Sequence, residues 1–202
     1  MHHRVDKLFL GMVVVLVAFG FFVFSSASLG LLTRGTSQFG SVTFNQFMFG
    51  VVLGSIAAYI SSKINYKHWQ KYSLYIFALS LIVTACVFLP KIGFGYNGAK
   101  RWLSLGSFSF QPSEFLKIGD IMYLAAFLAG AKDRINTWRY GTIPLLVFLG
   151  LSGAILLKQP DTATFAVIFF ASIAMFIAAG ARWSHVLILG IASLLCLGIL
   201  AY

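Results

Sequence analysis

Five ionisable side chains stand where a strongly apolar chain of 202 residues can least accommodate them. Glu114, Lys117 and Asp120 follow one another at i, i+3, i+6, roughly on one helix face, so Lys117 can meet Glu114 or Asp120. Lys158 and Asp161 bracket Gln159-Pro160 further along. A charge in hydrocarbon costs ~2.5–3.5 kcal/mol on insertion scales, so such groups usually face a polar cavity and pair. Gln111-Pro112-Ser113-Glu114 and Gln159-Pro160-Asp161-Thr162 share the form Gln-Pro-polar-polar. Each is expected to open a helix, because proline suits the first helical turn, where its missing N–H costs nothing. Helix N-termini bind phosphate and other anions. With Lys100, Arg101, Lys117 and Lys158 nearby, this pattern fits a grip on a phosphate-bearing lipid headgroup. A blander account places Glu114 and Asp161 in first turns favoured by the helix dipole, with the lysines snorkelling to the interface. Lys117, a full turn into an apolar span, is where that account is weakest.

The elements that must position these groups are membrane spans. The apolar set makes up 59% of the chain and charged residues 10%, against roughly 25% charged in soluble proteins. That excludes a water-soluble domain. Seven stretches reach the roughly 17–25 residues a spanning helix needs: 8–29, 44–62, 72–90, 113–131, 141–158, 162–180 and 184–202. The predicted fold is an all-α polytopic helix bundle forming one integral membrane domain over residues 1–202.

The net charge of +10 contains no basic run longer than two residues, which argues against nucleic acid and for an orientation signal. A cytoplasmic N-terminus puts Arg4, Lys7, Lys63, Lys67, Lys71, Lys132, Arg134, Arg139 and Arg182 inside, and Arg34, Lys91, Lys100 and Arg101 outside. All five ionisable groups of the opening pattern then lie toward the outer side. The first span has a basic flank, but its apolar run from Leu8 to Val23 is long for a signal peptide and reads as an uncleaved helix. Gly50 and Gly54 form a small-residue face suited to close helix contact. Residues 103–110 alternate about Gly106-Ser107 and predict a short hairpin or extended re-entrant element. Cys86 and Cys196 read as small hydrophobes, His185 as interfacial, and no His, Cys or carboxylate spacing suggests a metal.

Asn97-Gly98-Ala99-Lys100-Arg101-Trp102, followed by Phe110-Gln111-Pro112-Ser113-Glu114-Phe115-Leu116-Lys117, resembles the signature of the SEDS proteins, the family of FtsW, RodA and SpoVE. Lys158-Gln159-Pro160-Asp161-Thr162-Ala163-Thr164 is similar to the family's later motif, with Thr162-Ala163 where Leu-Gly is usual. Ser25-Ser26-Ala27-Ser28 resembles the end of its first helix. The resemblance implies a peptidoglycan glycosyltransferase of about ten spans in the bacterial inner (plasma) membrane. Such an enzyme polymerises lipid II, releases undecaprenyl pyrophosphate and works beside a class B penicillin-binding transpeptidase. No cofactor or metal is implied.

By position, the substrate-binding set would be Lys100, Arg101, Trp102, Gln111, Glu114, Lys117, Gln159 and Asp161, with Lys117–Asp161 as an ion pair in the cavity wall. The family's essential aspartate would lie in a large outer loop beyond Tyr202, so no catalytic residue is assigned and a truncated polymerase portion is expected. A lipid II flippase and a non-catalytic headgroup-binding scaffold for division proteins are the alternatives. A seven-helix retinal protein is excluded because the seventh span carries no lysine.

Overall fold

A computed structural model describes residues 6–33, 44, 46–89, 93–96, 99–105, 108–131 and 134–200. Arg4, Arg34, Lys91 and Lys132 of the orientation pattern, Asn97 and Gly98 of the motif, the Gly106-Ser107 turn and the terminal Tyr202 lie outside these residues. The chain divides into two compact units, Met1–Asn65 and Tyr66–Tyr202.

In the first unit, helix α1 spans Lys7–Thr33. Asp6 caps it, its Oδ1 accepting from the N–H groups of Leu8 and Phe9 at 3.0 and 3.1 Å. That satisfies two of the donors every helix start leaves free. A π-helical segment, Gln46–Val52, leads into helix α2, Leu53–Lys63. Phe47 meets Phe21 of α1 edge-on at 5.6 Å. A Cβ at Gly54 would meet open space, so Gly54 makes no close helix contact among the described residues.

The second unit holds five helices and one sheet. Helix α3, Tyr66–Ala85, continues through a 3-10 turn at Cys86–Phe88. Strands β1 (Gly93–Tyr96), β2 (Ala99–Leu105) and β3 (Phe108–Phe110) form an antiparallel sheet in that order. Helix α4 spans Pro112–Ala131 and α5 Ile143–Lys158, the latter entered through a π-helical turn at Trp138–Thr142. Helices α6, Thr162–Ala178, and α7, Trp183–Leu200, follow.

The seven helical rods coincide with the seven predicted spans. Two starts depart: the first residues of the 44–62 span are π-helical, so α2 begins at 53, and α3 begins at residue 66 rather than 72. Its opening residues, Tyr66 to Lys71, include lysines and a glutamine, good helix formers whose side chains can reach the interface. Lys7–Leu29, Tyr66–Phe88 and Trp138–Lys158 are long and apolar enough to cross a bilayer. α4 is as long as α3 but carries Glu114, Lys117 and Asp120.

α4 is central to this unit. Leu116, Leu124 and Leu128 on its buried face join Leu145, Phe148, Leu149 and Leu156 of α5, and Ile168 and Phe176 of α6, in one core. Positions such as 145, 149 and 156, or 116, 124 and 128, recur after four, seven or eight residues, which keeps them on one face of each helix. Against α3 the approach is closest at Gly119, where a Cβ would lie 2.6 Å from Ser80 Oγ and 3.2 Å from Phe77 Cα. Small residues at such crossings let membrane helices meet without a side chain between them.

The sheet lies against the end of α3. A Cβ at Gly93 would overlap the Val87 carbonyl oxygen, so only glycine allows β1 to start there, and Val87 is fully buried beneath it. β2 and β3 form the anticipated hairpin, pairing Leu103 with Phe110 and Leu105 with Phe108. β1 was not anticipated. It pairs Phe94 with Trp102 and Gly95 with Lys100, which leaves Arg101 as the extra residue of a bulge.

Candidate functional site

The bulge is what aims Arg101. An extra residue in one strand breaks the two-residue alternation and redirects its side chain. Arg101 Nε–H donates to the Gln159 carbonyl at 3.4 Å, and Nη2 donates to the Pro160 carbonyl. The guanidinium thereby fastens the sheet to the corner between α5 and α6. Two of its five N–H donors are used there, and the side chain remains half-buried rather than sealed.

That corner is itself built from buried polar groups. Gln159, 1% exposed, donates from Nε2 to the Thr84 carbonyl near the end of α3 at 2.8 Å. Asp161, 2% exposed, is the N-cap of α6, its Oδ1 accepting from Thr164 N–H at 3.4 Å. Its Oδ2 accepts from Gln111 Nε2 at 3.1 Å and Ser113 Oγ–H at 3.0 Å. Gln111 Nε2 also donates to Ser113 Oγ at 2.9 Å. One carboxylate therefore ties the start of α4 to the start of α6.

The two Gln-Pro segments are partners rather than copies. Pro112 is the first residue of α4, as proline in a first turn should be. Pro160 instead precedes the cap of α6, because Asp161 supplies the side-chain acceptor that proline lacks.

The predicted Lys117–Asp161 ion pair is not formed. Lys117 Nζ lies 2.9 Å from Glu114 Oε2 on its own helix, one turn back. Asp161 is already supplied by three neutral donors. Lys117 and Glu114 are 27% and 57% exposed at the side chain, so theirs is a pair on the surface of the helix rather than a buried brace. Lys100 and Trp102 are exposed on β2. Lys158 is exposed, with its ammonium 5.3 Å from the Phe88 ring centroid.

Of the eight predicted residues, Arg101, Gln111, Gln159 and Asp161 meet in one network. Glu114 and Lys117 form a second cluster on α4, while Lys100 and Trp102 share β2 with Arg101. Sequence reasoning missed Ser113 and Thr84 as members. Ser113 sits inside the quoted motif and was open to recognition, whereas Thr84 contributes only a backbone carbonyl. Asp120 meets neither Lys117 nor that network. It is 1% exposed, and its Oδ1 accepts from Ser152 Oγ–H on α5 at 2.8 Å. Its Oδ2 has no hydrogen-bond partner among the described residues. His185 is buried within the bundle, hydrogen-bonded through Nδ1 to Thr142 Oγ1 and stacked on Trp138 at 4.9 Å. Among the described residues, no three His, Cys or carboxylate side chains converge as metal ligands.

A half-exposed guanidinium stands beside two adjoining helix starts, with an exposed ammonium on the next turn paired to Glu114. The family model described as "Cell cycle protein", covering FtsW, RodA and SpoVE, matches residues 6–202. The chain belongs to this family. It is 35% identical over 182 residues to a probable peptidoglycan glycosyltransferase FtsW of Trichlorobacter lovleyi, covering 90% of this chain and 48% of that protein. It is 33% identical over 142 residues to the stage V sporulation protein E of Bacillus subtilis, covering 70% and 39%. A crystal structure of a variant of the rod shape determining protein RodA of Thermus thermophilus superposes with a TM-score of 0.71 at 25% identity. That match covers 94% of this chain and 59% of the RodA chain. A chain from a peptidoglycan synthase complex, described as coordinating polymerization and crosslinking, superposes at 0.63 and 25% identity, covering 87% and 51%. The chain thus spans about half the length of the curated relatives it matches. The fold is that of a polytopic membrane protein.

Proposed function

We propose that this chain forms the headgroup-binding wall of a peptidoglycan glycosyltransferase in the bacterial inner membrane. Its substrate is lipid II, and undecaprenyl pyrophosphate is the released product. A class B penicillin-binding transpeptidase works beside it. The N-terminus lies in the cytoplasm, which sets the sheet and the starts of α4 and α6 at the outer surface, where the transpeptidase would receive the glycan.

The observation that carries this reading is Arg101, aimed by a bulge onto the corner where α4 and α6 begin. When the glycosyl carbon–oxygen bond to the pyrophosphate breaks, its electron pair stays on the phosphate oxygen. Donors already fixed at that oxygen stabilise the developing charge without reorganising. Arg101 and Lys117 supply cations, and the helix starts supply N–H groups. Asp161 is a positioning residue on this reading: its acceptors are engaged with Gln111, Ser113 and Thr164, so it holds the wall rather than touching the substrate. None of the chain's acids is assigned as base for the acceptor hydroxyl.

The test is binding of fluorescent lipid II to the purified chain in micelles. Arg101→Ala removes a charge-assisted contact worth about 1.5–3 kcal/mol, so affinity should fall roughly 10- to 100-fold. Lys117→Ala should weaken it in the same direction. Unchanged affinity of both variants for lipid II and for undecaprenyl pyrophosphate would overturn the reading.

A further inference from the structure

In the Tyr66–Tyr202 unit, the C-terminal ends of α4 and α6 lie at the end opposite the sheet. A groove of about 400 Å³ runs between them, lined by Ala125, Leu128, Ala129, Met175, Ala178 and Ala179. Leu128 is buried, while the four alanines are exposed and leave the groove open. The depression is shallow and open along its length, a shape that would take one side of a lipid tail rather than enclose a molecule.

What lies at the end of the groove gives it chemistry. α6 terminates in a Schellman turn: Gly180 takes φ +91, its N–H donates to the Ile177 carbonyl at 2.9 Å, and Ala181 N–H donates to Phe176 at 3.2 Å. Only glycine takes that conformation freely. The turn brings Arg182 N–H to Asn136 Oδ1 at 2.8 Å. Arg134 is two residues before Asn136, a reach of at most about 7 Å. Two arginines are thus held at one corner, three residues beyond Ala179 on one strand of chain and beside the end of α4 on the other. Arg134 and Arg139 both lie near the Tyr140 ring, at 5.4 and 5.8 Å from its centroid. Trp183 is 69% exposed beside them. Among the described residues no acidic side chain shares this corner; Asp133 lies outside them. Cations at a bundle end serve orientation, but a tail slot ending at anchored cations and exposed aromatics is complementary to one amphiphile with a negative head.

We propose that the α4–α6 groove is a binding site for an anionic diacyl phospholipid of the surrounding bilayer. One acyl chain lies along Ala125, Ala129 and Ala178, and the phosphate meets Arg134 and Arg182. This site is separate from the sheet-covered wall and does not depend on the glycosyltransferase reading.

The experiment titrates the delipidated full chain with phosphatidylglycerol and with phosphatidylcholine of the same tails, reading bound lipid by native mass spectrometry. Phosphatidylglycerol should bind roughly tenfold more tightly or better. The double variant Arg134→Gln/Arg182→Gln should bring it to the phosphatidylcholine level. Ala129→Leu/Ala178→Leu, which fills the slot and keeps the arginines, should lose it as well. A phosphatidylglycerol with a photoactivatable tail gives a readout on the unaltered chain, with crosslinks expected within residues 125–129 and 175–179. Equal binding of the two lipids, retention by the filled variant, or crosslinks confined to other helices would each overturn the proposal.

Discussion

Asp161 and Asp120 are both buried aspartates, 2% and 1% exposed, and their surroundings could hardly differ more. Asp161 sits at a helix start, where backbone N–H groups have no partner in their own helix. Thr164 donates one such group, and the start of the neighbouring helix brings Gln111 and Ser113 within reach. Asp120 sits in mid-helix, where every backbone donor is already committed to the carbonyl four residues back. A donor must come from a side chain: Lys117 on the same helix is paired with Glu114, and Ser152 on α5 supplies one. A buried carboxyl is well supplied where helices begin and poorly supplied where they pass. The site is therefore assembled at helix starts, and the deeper aspartate remains outside it.

That contrast can be tested by measuring unfolding of single variants in mixed detergent micelles. The largest effect belongs to Asp161→Ala, which removes the acceptor of three donors, two of them on buried residues, and should cost about 3 kcal/mol, with Asp161→Asn recovering part because its carbonyl still caps α6. An equal loss from Asp120→Ala would break the comparison. Ser152→Ala removes the only donor Asp120 has among the described residues. Interhelical hydrogen bonds in membrane proteins average about 0.6 kcal/mol, so a loss of that order, at most about 1.7, sharpens the distinction. The smallest effect is at the surface pair. A double-mutant cycle on Lys117 and Glu114 should give a coupling of about 0.2–1 kcal/mol. The same cycle on Lys117 and Asp161 should give none, and a coupling comparable to the first would restore the cross-helix ion pair.

The legible parts of the sequence were those written in one stretch of chain. Seven apolar runs gave seven helices, the alternation about residues 103–110 gave a hairpin, and Pro112 marked a helix start. Asp161 was recognised as important, but its partners were assigned by charge. Lys117 was the available cation, whereas the structure satisfies the carboxylate with an amide, a hydroxyl and a backbone N–H. Nothing periodic in the sequence says that Ser113 stands nearer to Asp161 than Lys117 does, since that depends on how α4 is rotated against α6. β1 escaped notice because Gly93-Phe94-Gly95-Tyr96 carries little strand propensity of its own and is held by pairing with β2 and by its fit over Val87. His185 was judged from its place at a helix start, which does not show that Thr142 and Trp138 enclose it.

Arg101 holds backbone oxygens, and every residue type has one. Substitutions at Gln159 or Pro160 leave both carbonyl acceptors on the chain, so they act on the fastening only by moving the corner, as loss of the Gln159–Thr84 bond would. A change at Arg101, or a shift in the strand that carries it, undoes the fastening directly. In a library of variants, tolerance at this contact would be lopsided. Damage would concentrate on the arginine, and on a one-residue deletion in β2 that restores regular pairing and swings the guanidinium away.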